Sequence, residues 1–293
     1  MPHGSLRVGR VEVVALCDGV VLASEPAADS FPGGQNQVWA ETRDAHPDVF
    51  EGDRWRLHVH CYLLRSEGST VLVDTGVGPE AAPAFGWSRS RGRLPEELAG
   101  AGTDPADVDR VLITHVHDDH LGWIVAEGTA DPLFPSATYL IHRADLDALR
   151  ASPNEEDRAI LAATIDPLAR AGVLRATEND TAITGELTAV HAPGHTPGHQ
   201  MVLIDSEGER AIVSGDLVNH PAQLLQPGLN GTSDFEPALA AATRADWLER
   251  IGREGRLAIP AHFPEPFGRF EPEDDGRHRW RPLAVEPGRP VVG

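Results

Sequence analysis

The chain has 293 residues, 41% hydrophobic and 24% charged, the composition of an ordinary globular protein with enough apolar material for a sizeable core. Its 45 acidic residues against 25 basic ones give a formal net charge of -20, which repels nucleic acid and anionic membrane surfaces and argues against both as partners. Cys17 and Cys61 stand far apart without metal-ligand spacing, so neither a disulfide framework nor a thiolate metal site is expected, and a cytoplasmic location fits. No secretory pattern opens the chain, and the apolar run at 11–16 is too short to span a bilayer.

In chain order, apolar runs bounded by turn residues predict strands at 11–16, 61–64, 71–73 and 111–114, the third closing on Asp74-Thr75-Gly76. The stretch 30–60 is rich in Gly, Pro and Asp yet carries Phe31, Trp39, Phe50 and Trp55. It reads as a long loop, either a surface excursion pinned by its aromatics or a lid over a substrate pocket. Helical patterns follow at 143–150 and at 155–171, the latter acidic at its start and stopped by Gly172. Strands resume at Leu187–His191, 201–205, 211–214 and Leu257–Pro260, with a helix at 237–251 before the last. The acidic, Pro-rich stretch 271–293 reads as an irregular tail. Strands and helices interleaved in two comparable halves predict a single domain over 1–293, with sheets packed face to face and helices outside.

The chemistry concentrates in Thr114-His115-Val116-His117-Asp118-Asp119-His120-Leu121-Gly122, which leaves the carboxyl end of an apolar strand, where α/β folds carry their sites. His115 and His117 are two apart, so an extended start turns both imidazoles to one side, while Asp119 and His120 point elsewhere once the chain turns. One cation takes the first pair and a second takes the next. Three further strand ends complete the set. In His191-Ala192-Pro193-Gly194-His195-Thr196-Pro197-Gly198-His199, Gly and Pro fix turns that present a histidine, and His195 is the best third ligand. His191 and His199 suit structural or ligand-supporting hydrogen bonds. Ser214-Gly215-Asp216 ends a strand in a carboxylate able to bridge two cations, and His262 in Ala261-His262-Phe263 completes the second metal.

The succession HVHDDH, GHTPGH, SGD and AHF resembles the metallo-β-lactamase superfamily over roughly residues 11–270. The resemblance implies a four-layered αββα sandwich of two mixed β-sheets flanked by helices. It implies His115, His117 and His195 on one metal, Asp119, His120 and His262 on the other, Asp216 bridging, and Asp74 supporting a ligand by hydrogen bond. Imidazole and carboxylate accept zinc, manganese, iron and cobalt alike, and two zinc ions are the expected cofactor. Two divalent cations about 3.5–4 Å apart lower the pKa of a water between them and polarise a scissile carbonyl or phosphoryl oxygen, so hydroxide is the expected nucleophile. Asp119 is the candidate for proton transfer to the leaving group.

Local strings after Asp216 and His262 further resemble the branch of methyl parathion hydrolase and the N-acyl homoserine lactone lactonases. Those lactonases carry a tyrosine after the bridging aspartate, whereas this chain has Leu217, Val218, Asn219 and His220. The expected activity is therefore a lactonase or carboxylesterase on a small molecule, with His220 or Asn219 taking over the substrate contact. Phosphotriester or thioester cleavage, an iron-dependent redox role, and metal binding without turnover are the alternatives. Trp39, Trp55, Trp87, Trp123 and Phe235 are candidates for the pocket wall, Trp123 foremost among them because it follows the metal loop. A homodimer is consistent with that branch, although no interface signature is legible.

Overall fold

Side chains of a strand alternate between its two faces, and here the alternation sorts apolar residues into three layers. Cys61, Leu63 and Leu72 face one way and pack with Leu94, Leu98 and Leu146 from helices. Tyr62, Leu64, Val71 and Val73 face the other way and meet Leu187, Val202, Ala211 and Leu257 of a second sheet. The far face of that sheet turns Met201, Leu203 and Ile212 toward Leu248 and Ile251 of the helix Pro237–Glu254. The result is helices, sheet, sheet, helices: the expected αββα sandwich of two mixed sheets.

The computed structural model describes residues 4–284 and 291–292. The first sheet is formed by strands β1 (Ser5–Val8), β2 (Val11–Pro26), β3 (Phe50–Glu51), β4 (Arg54–Ser66), β5 (Ser69–Val73), β6 (Arg110–Leu112), β7 (Thr138–His142) and β8 (Leu174–Thr177), joined by β16 (Val291–Val292). Its order is β16-β1-β2-β4-β5-β6-β7-β8, with β3 on β4 and parallel pairing from β5 to β8. The second sheet runs β15 (His278–Pro282), β14 (Gly268–Pro272), β13 (Leu257–Pro260), β12 (Glu209–Gly215), β11 (Gln200–Ser206), β10 (Leu187–His191), β9 (Thr181–Ala182). Among the described residues no helix is long and apolar enough to cross a membrane.

Three stretches differ from the sequence reading. Residues 30–60 contain the helix Asn36–Ala45 and most of the amino-terminal half of β4. Turn-forming residues obscure that helix, which buries only Val38 and Thr42. The helix expected over 155–171 widens to a π turn at Leu161–Ile165, just before Pro167, whose missing N–H leaves the regular ladder one donor short. The stretch 271–293 is not an irregular tail throughout: β14 and β15 form a hairpin in which Phe270 pairs with Trp280, both buried. Residues 285–290 and 293 of that tail lie outside the described residues.

The turn after β5 packs backbone to backbone on the end of the histidine-rich loop. Gly122 N–H donates to Gly76 O at 2.7 Å and Trp123 N–H to Thr75 O at 3.0 Å. A Cβ on Gly122 would lie 2.1 Å from the carbonyl carbon of Val77. We expect Gly122→Ala to destabilise the protein by about 1–3 kcal/mol, the cost of overpacking a rigid contact, measured as a lower urea midpoint with unchanged slope.

Candidate metal centre

Four strand ends deliver the donors. Just after β5, Asp74 adopts φ +63°, a left-handed conformation uncommon outside glycine, asparagine and aspartate. Its carboxylate accepts Thr114 N–H at 2.7 Å, Thr114 Oγ1–H at 2.8 Å and His120 Nδ1–H at 2.8 Å. Asp74 thus holds the loop after β6 at both ends and turns His120 Nε2 inward. That loop carries His115 and His117 before the short helix Asp118–Leu121 brings up Asp119 and His120. His195 lies on the turn between β10 and β11, Asp216 follows β12, and His262 follows β13.

The donors fall into two groups able to hold a metal ion, His115 with His117, His195 and Asp216, and Asp119 with His120 and His262. His115 Nε2 and His195 Nε2 each lie 3.0 Å from His117 Nδ1. Asp216 reaches both groups: Oδ2 is 3.2 Å from His195 Nε2, and Oδ1 is 3.0 Å from His262 Nε2. Asp119 Oδ2 stands 3.8 Å from both His120 Nε2 and His262 Nε2. His120 Nε2 and Asp216 Oδ1 are buried without a hydrogen-bond partner yet lie 3.3 Å apart. Orphaned buried polar atoms are costly, and a divalent cation satisfies both. The residues present therefore fit metal ions.

The outward-facing nitrogens are also held. His195 Nδ1–H donates to Asp234 at 2.8 Å, and His262 Nδ1–H to the His58 carbonyl at 2.8 Å. His199 donates through Nδ1 to Ala192 O and accepts Asp216 N–H at Nε2, both at 3.0 Å, so it fixes the backbone of Asp216. The buried carboxylate of Asp145 accepts Val116 N–H, Thr196 Oγ1–H and Gly198 N–H at 3.2, 2.9 and 2.6 Å. It clamps the loop of His115 and His117 to the loop of His195. Such outer contacts orient ligands and fix their tautomers.

Burial drives His115 and His117 well below the usual imidazole range, which keeps both neutral with lone pairs free. Burial pushes His195 the same way, but Asp216 and Asp234 overcome it and raise it to about 9. Burial is likewise outweighed at His120, raised by Asp74, Asp216 and Asp119, and at His262, raised chiefly by Asp216.

A cavity of about 390 Å³ opens above the cluster, with His117, Asp119, Asp216 and His262 on its lining. Phe31, Trp55, Trp87 and Asn219 contribute to its wall, and among the described residues no arginine lines it. A second, largely apolar cavity of about 720 Å³ adjoins it, sharing Trp87, His117, Asp118 and Ser233. Asn219 donates through Nδ2 to Asp216 Oδ2 at 3.1 Å.

Three sequence expectations do not hold for these walls. His220 does not reach the cavity. It is fully buried, its ring 5.2–5.8 Å from those of Phe31, Trp39, Phe50 and Trp55, and burial pushes it down to about 3. The turn after Asp216 points Asn219 at the metal groups and the next side chain away. Trp123 belongs to the core beneath the first sheet, where its indole N–H donates to Asp18 at 2.9 Å. Trp39 lies behind the wall, packed on His220. Trp55, Trp87 and Phe235 do line the two cavities. Sequence reasoning missed Asp145, Asp234 and Arg244, although a charged residue on the apolar stripe Ala240, Leu248, Ile251 is a legible signal for the last.

The sequence profile of the metallo-beta-lactamase superfamily matches residues 54–262, and the chain belongs to that superfamily. An N-acyl homoserine lactonase of Bacillus sp is 29% identical over 170 residues, 53% of this chain and 62% of the lactonase. A ribonuclease of Thermus thermophilus is 32% identical over 206 residues, 66% of this chain and 42% of the ribonuclease. The chain thus matches less than two thirds of the length of either relative. Among solved structures, AidC, a dizinc quorum-quenching lactonase, superposes with a TM-score of 0.83 at 22% identity, covering 97% of this chain and 98% of that one, a likeness of fold.

The raised His195 sets a pH dependence. Its folded, metal-free value of about 9 exceeds the ordinary 6.5, so its contribution to stability is complete below about 6.5 and is lost as pH rises through about 9. We expect the melting temperature of chelator-treated protein to fall between pH 6.5 and 9.5, and metal loading at pH 7.5 to release protons measurable in weakly buffered solution.

Proposed function

We propose that the protein is a metal-dependent hydrolase that cleaves a lactone or carboxylic ester of a small molecule at a site holding two divalent cations, zinc first among them. The observation that carries this reading is Asp216, whose two oxygens face both donor groups on the lining of one cavity. Bound there, the ions supply Lewis acidity that polarises an oxygen and lowers the pKa of water.

The chain's own residues account for the rest. Asp74, His58, Asp234 and His199 hold the ligands in register through the hydrogen bonds above. Phe31, Trp55 and Leu57 provide an apolar wall that excludes water from the scissile bond. Asn219, with Nδ2 on Asp216 and Oδ1 unpartnered, is the group we assign to a polar atom of the substrate. Asp119, on the cavity lining with a carboxylate oxygen toward His120 and His262, is the candidate to carry a proton to the leaving group.

Ribonuclease activity, the other function named among the relatives, is disfavoured by a net charge of -20 and by cavity linings that hold no arginine among the described residues, because nucleic-acid binding rests on neutralising phosphates.

Initial rates on matched lactone, aryl ester, thioester and phosphotriester substrates, with zinc- or manganese-loaded and metal-stripped protein, test the proposal. We expect metal-dependent turnover concentrated on lactones or carboxylic esters, and a His199→Ala variant reduced about 10–100-fold, the usual cost of removing a ligand's supporting contact. Two bound metals with no turnover of any of the four would refute it. Turnover of Asp119→Asn at the full rate with both metals bound would remove the proton-transfer role.

A further inference from the structure

The helix Pro237–Glu254 turns an arginine toward the core on the same stripe as Ala240, Leu248 and Ile251. A buried guanidinium requires a partner for its charge and acceptors for its N–H groups. Arg244, 1% exposed, finds both within one segment of chain. Its Nε–H donates to Leu217 O at 2.9 Å, and its Nη1 to Pro227 O at 2.7 Å and Leu229 O at 3.0 Å. Its Nη2 faces Asp234 Oδ2 at 3.5 Å. Asp234 spends its remaining capacity on Gly231 N–H at 2.9 Å and on His195 Nδ1–H at 2.8 Å.

The segment gathered around the guanidinium also walls the cavity, since Gly231, Thr232 and Ser233 line it. The same helix presses on the other side of the His195 turn. Thr243 Oγ1 donates to Pro193 O at 2.7 Å, and a Cβ on Gly194 would lie 2.4 Å from Ala240 N. One side chain therefore joins the cavity wall, a buried carboxylate and a histidine that faces the metal groups.

We propose that Arg244 is a positioning residue that sets metal affinity at the His115, His117 and His195 group by acting through Asp234, and that it couples this group to the cavity wall at Gly231, Thr232 and Ser233. The inference rests on the two-cation reading given above. Arg244 touches neither metal donors nor the cavity, so its influence on His195 travels along the ion pair with Asp234. Its charge compensates Asp234, which otherwise stands buried beside a histidine that must keep one nitrogen free for the cation. Its fork fixes the carbonyls that shape the turn from Pro227 to Asn230. Lysine cannot replace such a fork, because a single ammonium does not reach several acceptors at fixed angles.

The test is chelator competition on zinc-loaded wild-type protein, R244M, D234N and the double variant, with cobalt absorption spectra to follow the ligand field. We expect two bound metals in the wild type, and in R244M one of them weakened about 10–100-fold, the usual effect of an outer contact on affinity. D234N, which keeps an acceptor for His195 and removes the charge, should weaken the same metal. R244M should add nothing further in the D234N background, because the path is already cut. A general loss of packing would instead weaken both metals and act additively. Wild-type affinity at both sites in folded R244M overturns the proposal, as does an additive double variant. If R244M does not fold, D234N carries the test alone, and undiminished affinity in D234N overturns the proposal equally. A wild-type protein that binds fewer than two metals sinks the two-cation reading and this inference with it, an outcome distinct from two bound metals that ignore Arg244.

Discussion

Asp216 is buried, yet four imidazole nitrogens, from His115, His120, His195 and His262, stand within 3.8 Å of its carboxylate. A carboxylate withdrawn from water requires compensating positive charge. Here the compensation comes from histidines supplied by three separate strand ends. Burial alone raises the Asp216 pKa, and the facing imidazoles, His262 and His120 foremost, reverse that effect and hold it well below the carboxylate range. The carboxylates act back on the imidazoles, raising His195 through Asp216 and Asp234 and His120 through Asp74 and Asp216. Divalent cations bound there would supply positive charge in place of protons, so their binding would weaken as the pH falls.

The sandwich exists to bring those strand ends together. The middle apolar layer, from Val71 and Val73 to Val202 and Val213, fixes the separation of the two sheets. The histidine loop after β6 and the carboxylate after β12 then meet across the sheet edges. Backbone contacts complete the alignment: Gln200 N–H donates to Thr114 O at 2.8 Å, joining a strand of the second sheet to the loop that leaves the first. His60 N–H donates to Ala261 O at 3.0 Å, setting the residue before His262 against β4.

Buried carboxylates do similar work around the rim. Asp74 accepts from both ends of the one loop after β6, whereas Asp145 and Asp234 each accept from donors that belong to different loops. Asp18 does so beneath them, taking Val77, Arg93 and Leu94 N–H together with the Trp123 indole. An acceptor shared between loops restricts each loop more than a bond within it does, because every donor must be in place for the carboxylate to be satisfied. The cavity walls are made differently, from aromatic residues such as Phe31, Trp55 and Trp87, whose polar partners are few. The metal groups are thereby rigid, while the adjoining cavity walls are shaped chiefly by packing.

The sequence by itself indicated the candidate donor residues and most of the strands that present them. Histidine and aspartate at fixed spacing after apolar runs state their chemistry locally: His115 and His117 two apart, Asp216 directly after a Gly, His262 after Leu257–Pro260. The apolar runs at 61–64 and 201–205 likewise marked strands, while the layer each residue faces was settled by the sheets. Tertiary structure alone decided the rest. His220 and Asn219 are neighbours in sequence, yet only Asn219 reaches the cavity, because one residue of turn reverses the direction of a side chain. Trp123 adjoins the metal loop in sequence, but the packing of Gly122 on Val77 sends its ring into the core. Asp145, Asp234 and Arg244 owe their roles to partners 10 to 53 residues away. Contacts of that range are set by how the layers stack; the local pattern shows at most that Arg244 interrupts an apolar stripe, not which partners it meets.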